Sequence, residues 1–397
     1  MFTIKKKLMV LGNIGYEKMH IEATQRGYET IVISDGSKKN AHLPDQFVQI
    51  DTLNEINILK DIIKKEQPSI VISRGSPNFE FQSVRDNLLR HWLLNMNPQS
   101  TFVNASDMTS SISHNKAMMR HHFLLNDLPV NEGFMIDNNK GQLELVEKIE
   151  YPCVVKKVHG SSSEGVFIVN GAEQLKAILD SMHDQTFLIE TFFDGIEVGL
   201  EVIVTEEDVY FYPPAFLGRT GDVKTFNRIR YAPFAIIDSL FDQITTVLRN
   251  YIKRQFEHFV GVIQFDLMVN EEENTWIVSE LNARLSGVSD LNAALVAPSP
   301  FHVLLDLGEN PSSDIKLRQK VPCVMECPVT IDETSIDQIK NHPRITYFKD
   351  VINMDEMILT IVGDSPTVIY STLMDLPVQI RPEITEQLLH LQKQPII

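Results

Sequence analysis

The chain has 397 residues, 43% of them hydrophobic and 22% charged, enough length and apolar content for two or three domains with cores of their own. Its 36 basic and 53 acidic residues give a net charge of −17. The long-range field therefore repels a nucleic-acid backbone or an anionic membrane, and any bound anion must be held locally. Three cysteines, Cys153, Cys323 and Cys327, are an odd number without disulfide-like spacing, which suits a reducing compartment and a cytoplasmic protein. Cys323 and Cys327 lack a second Cys or His pair at zinc spacing and read as core thiols. Basic residues precede a short apolar run at the start, but no stretch approaches the roughly 18 apolar residues that span a bilayer, so neither secretion nor membrane insertion is expected.

In chain order, KKLMVLGN, EKMHIEATQRGY, ETIVISDG, LNEINILKDIIKKEQ and PSIVISRG alternate apolar strands with helical patterns, a βαβαβ rhythm that predicts a parallel, doubly wound sheet. Gly12, Gly15 and Asp35 imitate a dinucleotide fingerprint, yet GNIGYEK lacks the third glycine, and two glycines that merely turn the chain fit as well. From about residue 150 the texture becomes α+β: strands joined by glycine-rich or acidic turns, with a long helical stretch over 238–257. Beyond Pro298 and Pro300, VPCVMECPVTI and EMILTIVG read as strands, and SIDQIKNH and SPTVIYSTLMDL as helices.

Three stretches carry chemistry. YPCVVKKVHGSSSEGVFIV, residues 151–169, ends a strand in Lys156 and Lys157 and follows it with Ser161, Ser162, Ser163 and Gly165, small residues whose amides can approach phosphate oxygens. No Lys-Ser/Thr pair or helix follows, so this is not a P-loop, and a flexible hairpin loop is an equal alternative. FLIETFFDGIEVGLEVIV, residues 187–204, alternates Val198, Leu200, Val202 and Val204 against Glu197, Gly199 and Glu201. The second face reads first as a solvated sheet surface and otherwise as carboxylates for ribose hydroxyls. GVIQFDLMVNEEENTWIVSELNARLSG, residues 261–287, reads as a hairpin that brings Asp266 beside Glu280, with Asn282 two residues along. These hard oxygens suit Mg²⁺, with Mn²⁺ able to substitute, and Arg284 is positioned for phosphoryl charge; a polar sheet end closed by a salt bridge is the plain alternative. Arg219, Lys224, Arg228 and Arg230 crowd the loop before it, where Arg228 or Arg230 can point inward.

In this order the pieces resemble the ATP-grasp superfamily of ATP-dependent ligases over about residues 1–310. NKAMMRHHFLLNDLPV is similar to the superfamily's lysine-bearing helix, and YPCVVK to its second lysine strand. The resemblance implies a Rossmann-like domain over 1–112, an ATP-grasp domain over 113–308 with a lid at about 150–212, and a smaller α+β region over 309–397. It implies that Lys116 and Lys156 reach the phosphates, with Lys157 a departure from the usual motif. It makes 190–193, with Glu190, Phe192 and Phe193, the adenine-binding hinge, gives Glu197 to the ribose, and sets Arg230 near the nucleotide. Asp266, Glu280 and Asn282 become magnesium ligands; Arg284 and the Gly287 N–H stabilise an oxyanion. ELNARLSG looks most like the corresponding motif of amino-acid ligases that make dipeptides, with Ser286 in place of a glycine.

The function implied by the resemblance is that of a carboxylate–amine ligase that uses ATP, forms an acyl phosphate and joins a small carboxylate to an amine, with no nucleic-acid or membrane partner and dimers common among relatives. Bicarbonate activation of the carbamoyl-phosphate or biotin-carboxylase kind, a non-catalytic ATP-binding regulator, and an NAD-dependent oxidoreductase are the alternatives. Cys153 sits in an apolar strand and His121 and His122 on a helix, so none reads as a nucleophile or ligand; His159 beside the serine loop is the histidine to test. Arg74, Gly75 and Ser76, at a strand end, are candidates for the substrate pocket.

Overall fold

The computed structural model describes residues 5–13, 15–36, 43–74, 81–96, 99–113, 115–137, 149–159, 165–182, 185–221, 228–350 and 357–391. Strands β1 (Lys7–Leu11), β2 (Glu29–Ser34), β3 (Gln46–Gln49), β4 (Ile70–Ser73) and β5 (Thr101–Val103) form an all-parallel sheet in the order β3-β2-β1-β4-β5. β1, β2 and β4 are almost entirely buried, as parallel strands covered on both faces must be. One face packs on α2 (Ile56–Glu66) and α3 (Gln82–Met96) through Leu59, Ile63, Leu89 and Leu93. The other packs on α1 (Glu17–Gln25) and on a helix from much later in the chain, which closes the doubly wound arrangement.

After α4 (Asp107–Ile112) and α5 (Lys116–Leu125), strands β6 (Gly133–Asp137), β7 (Cys153–Lys157), β8 (Val166–Val169) and β9 (Thr186–Thr191) make an antiparallel sheet, β6-β9-β7-β8, with α6 (Ala172–Ser181) packed on it. The largest sheet takes β10 (Ile196–Val204), β11 (Val209–Phe211), β12 (Ala215–Arg219), β13 (Arg230–Ala232), β14 (Gly261–Asn270) and β15 (Thr275–Asn282). Helix α7 (Asp238–Gln255) covers one face of it with Leu240, Ile244, Leu248 and Tyr251. The opposite face meets α8 (Gly287–Leu295) and, past β16 (Val296–Ala297), α9 (Pro300–Glu309). The chain then forms β17 (Arg318–Gln319), β18 (Cys323–Ile331), α10 (Ile336–Lys340), β19 (Ile345–Asp350), β20 (Met357–Gly363) and α11 (Pro366–Asp375). β18, β20 and β19 extend the same large sheet, whose order runs β15-β14-β10-β12-β13-β18-β20-β19. Among the described residues no helix is long and apolar enough to cross a membrane.

Helices α8 and α9 thus lie between the large sheet and the parallel sheet and contribute to one continuous core with both. This corrects one expectation. The Gly199/Glu201 part of the Glu197/Gly199/Glu201 face of β10 is not a solvated sheet surface, because α8 covers it: Glu201 is 0% exposed, and a Cβ at Gly199 would lie 2.7 Å from Val288 Cγ2.

The parallel sheet is tied to the large one by Asn104, just past β5. Its Oδ1 accepts the Val262 N–H at 2.6 Å, and its Nδ2 donates to the Val262 carbonyl at 3.1 Å. Asn104→Ala leaves both backbone groups of a buried strand residue without these partners, a loss of about 2 kcal/mol. Urea denaturation is expected to show a lower midpoint with an unchanged slope; an unchanged midpoint would mean that this tie contributes nothing.

Candidate active site

The site is built around the β14–β15 hairpin. Antiparallel pairing sets Asp266 opposite Glu280 and Gln264 opposite Asn282, and the register shifts just after Asp266. Burial is the main cause that pushes Asp266 up to about 7, and the Glu280 charge adds to it. Burial acts on Glu280 in the same direction, but the Lys116 ammonium, 2.8 Å from Oε1, outweighs it and holds Glu280 below its ordinary value. Gln264 Nε2 donates to Asp266 Oδ1 and Asn282 Nδ2 donates to Asp266 Oδ2 at 3.1 Å. Arg284 Nη2 donates to Asn282 Oδ1 at 3.2 Å, so Asp266, the Asn282 amide and the guanidinium form one connected array beside Glu280.

Two lysines enter this array from different elements. Asn115 caps α5 by accepting from the N–H groups of Ala117 and Met118, and the Lys116 N–H donates to the Val158 carbonyl just beyond β7. Alternation along β7 separates the two adjacent lysines. Lys156 turns toward Glu190 of β9, with Nζ 2.7 Å from Oε2, whereas Lys157 packs its stem against Gly165, where a Cβ would lie 2.5 Å from its Cδ. Burial works to lower Lys156, and the Glu190 carboxylate more than reverses that and raises it. Arg120 Nε stands 3.4 Å from the other Glu190 oxygen. Glu197, on β10, pairs at 2.6 Å with Arg228.

Phe192 and Phe193 lie between β9 and β10, the Phe192 N–H donating to the Pro152 carbonyl at 3.2 Å. Ser161, Ser162 and Ser163 lie outside the described residues, as do Lys224, Gly75 and Ser76. Asp35 Oδ2 accepts the Leu53 N–H at 3.0 Å, a loop-closing task.

The far edge of the site is the N-terminus of α8, where the Ser286 and Ser289 side chains form a capping box around Gly287. Arg230 lies here, not with the lysines: its Nη2 pairs with Glu326 of β18, a carboxylate only 1% exposed, and its Nη1 would be 2.0 Å from a Cβ at Gly287. A side chain at 287 would therefore have to displace that guanidinium. Behind this edge the Ser289 hydroxyl donates to Glu201 Oε1, and Asn292 Nδ2 donates to Oε2 at 2.7 Å. Burial pushes Glu201 up to about 7 against those two donors.

Known proteins share this fold and parts of this sequence. A family model described as "D-ala D-ala ligase C-terminus" matches residues 129–291. A D-alanine–D-alanine ligase from a Wolbachia strain of Drosophila simulans is 24% identical over 194 residues, 46% of this chain and 58% of that one. A formate-dependent phosphoribosylglycinamide formyltransferase from Aliivibrio fischeri is 25% identical over 218 residues, 53% of each chain. The chain thus spans about half the length of the curated relatives it matches. Among solved structures, an L-amino acid ligase from Bacillus licheniformis superposes with a TM-score of 0.75 at 14% identity, covering 96% of this chain and 99% of that one. An N5-carboxyaminoimidazole synthetase from Staphylococcus aureus, complexed with ADP, gives 0.72 at 14% identity, with 94% and 97% covered.

Residues 129–291 thus match that family model, and the whole chain shares the fold of these solved structures. Within its ATP-grasp fold, the structure gathers Lys116, Lys156, Glu190, Asp266, Glu280, Asn282 and Arg284 around one cleft and sets Arg230 with Gly287 at another edge. Sequence reasoning does not single out Arg120, Gln264, Ser289, Asn292 or Glu326. Gln264 shares the strand face of Asp266, a period-2 signal that is present in the chain. Glu326 has no such signal, since it sits in an apolar run whose neighbour is set by a long-range strand pair.

Glu201 gives the protein a testable pH dependence. Its carboxyl is raised in the fold, so the folded state holds more protons than the unfolded one between about 4.5 and 7. The corresponding stabilisation is complete below that window and lost as pH rises through it, by up to about 3 kcal/mol at 1.36 kcal/mol per unit. Denaturation at about pH 5 and pH 8 is expected to show a smaller fall in stability for Glu201→Gln than for the wild type. Equal falls would show that Glu201 keeps an ordinary carboxyl in the fold.

Proposed function

We propose that the protein is an ATP-dependent carboxylate–amine ligase that joins an amino acid or similar small carboxylate to an amine and releases ADP and phosphate. The observation that carries this reading is the pairing of two lysines, from different elements, with carboxylates at one cleft: Lys116 with Glu280 and Lys156 with Glu190. Such a set is suited to exchange partners when a polyphosphate and a divalent cation enter together, the phosphates taking the ammonium groups and the cation the carboxylates. The ADP in the superposed synthetase supports a nucleotide in that fold.

The donor chemistry fits Mg²⁺. Among the described residues no group of three or more His, Cys, Asp or Glu is arranged for a metal, so the third oxygen is the Asn282 amide beside Asp266 and Glu280. Hard oxygens few in number suit an ion that keeps waters and bridges phosphates. Burial leaves Asp266 raised to about 7, a carboxylate short of positive charge. When bound, Mg²⁺ supplies charge neutralisation on the transferring phosphoryl group.

The residues of the chain do the positioning. Lys116 and Lys156 hold phosphate oxygens, and Arg228 fixes Glu197 for a ribose hydroxyl. The acid's carboxylate oxygen attacks the γ-phosphorus and ADP leaves; the amine nitrogen then attacks the acyl carbon, inorganic phosphate departs, and the amine loses its proton. Arg284 and the Gly287 N–H meet the oxyanion charge of the second step.

The test is incubation with Mg-ATP and pools of amino acids, with hydroxylamine added to trap an acyl phosphate. The reading expects ADP and phosphate to appear only with a particular carboxylate, and Glu280→Gln to lower turnover by roughly a hundredfold or more while circular dichroism is unchanged. AMP and pyrophosphate as products, or full turnover in Glu280→Gln, would remove it.

A further inference from the structure

A second concave site lies at the other end of α8 from Arg284. This cavity of about 780 Å³ falls between α1, the last turn of α8, the start of α9 and the β16–β17 pair. Its size is that of a site for a small organic molecule, well beyond a single inorganic ion. The floor is apolar, with Ile21, Ala294, Pro298, Phe301 and Leu317 among its lining residues.

The rim is cationic, in a chain whose net charge is −17. Lys18, Lys316, Arg318 and Lys320 line it, against one carboxylate, Glu22, which is already engaged by the Ser299 hydroxyl at 3.0 Å and His302 Nδ1 at 3.1 Å. Lys18 stands 5.7 Å from the centre of the Phe301 ring and pairs with Asp290 at 2.9 Å, and Lys316 lies 3.6 Å from Asp314. Those two charges are therefore partly matched. Arg318 and Lys320 add to them: Arg318 is exposed on a two-residue strand, and the Lys320 ammonium is aimed at the Ala293 carbonyl of α8. Partial burial of its ammonium and the neighbouring Lys18 hold Lys320 below its ordinary value although Glu22 opposes this.

We propose that this cleft binds a small organic anion, its apolar body on the Ala294–Phe301 floor and its phosphate or carboxylate between Arg318 and Lys320. The site is separate from the nucleotide cleft, and the proposal does not depend on the ligase reading. Its wall is nonetheless shared, because α8 presents Gly287 to one site and Ala293 and Ala294 to the other, about 10 Å apart along a nine-residue helix.

The experiment is calorimetric titration of the full chain at low ionic strength with phenyl phosphate, benzoate and inorganic phosphate, repeated on an Arg318→Glu, Lys320→Glu double variant and on Lys156→Gln. Both altered rim residues are exposed, so the double variant is expected to keep the native circular dichroism spectrum. The proposal expects saturable binding of phenyl phosphate or benzoate at least roughly tenfold tighter than inorganic phosphate, weakened at least roughly tenfold in the double variant and unchanged in Lys156→Gln. Which of the two organic probes binds identifies the headgroup. Absence of saturation by both, inorganic phosphate binding as tightly, unchanged affinity in the double variant, or loss in Lys156→Gln would each overturn it.

Discussion

Two carboxylates placed opposite each other on adjoining strands repel, and that repulsion, added to their partial burial, bears on what surrounds them. Burial first and the Glu280 charge second push Asp266 up to about 7, while the Lys116 ammonium holds Glu280 below its ordinary value. Lys156 repeats the arrangement with Glu190 a strand away. Each lysine would be costly to bury alone, and each carboxylate likewise, so the pairs keep both kinds of charge in place until others arrive. In the ligase proposed, a polyphosphate with its cation would exchange these partners together without leaving a buried charge alone.

Precision at such a site depends on its support, and α8 supplies it. The helix packs in the core shared by the large sheet and the parallel sheet, its capping box fixes the turn after Arg284, and Ser289 and Asn292 bind Glu201 beneath. Through Arg230, β18 also reaches this turn, since Glu326 holds the guanidinium against Gly287. Residues beyond 309 therefore take part in shaping the site as well as in extending the sheet.

Much of this is legible in the chain because periodicity and burial coincide. The βαβ rhythm announces a parallel sheet, and the alternation in residues 261–269 is the register that puts Asp266 across from Glu280. Strand parity also sends Lys156 toward Glu190 and Lys157 toward Gly165, a difference that a doubled lysine conceals in the sequence. Glu201 misleads because a polar residue at period two looks the same under water as under a helix; only the tertiary placement of α8 distinguishes them. The Arg230–Glu326 pair is beyond sequence reasoning, since β13 meets β18 across more than ninety residues of chain. β19 escapes it as well, its ITYFKD mixing charged and aromatic residues without a clean alternation.

The central claim is that Asp266, Glu280 and Asn282 hold a divalent cation together with the nucleotide. Electron paramagnetic resonance of Mn²⁺ titrated into the chain with ADP tests it most directly. The account predicts a ternary complex in the wild type, with Mn²⁺ uptake weakened at least roughly tenfold in Asp266→Asn while ADP still binds through the two lysines. Equal Mn²⁺ uptake by that variant and the wild type would contradict it.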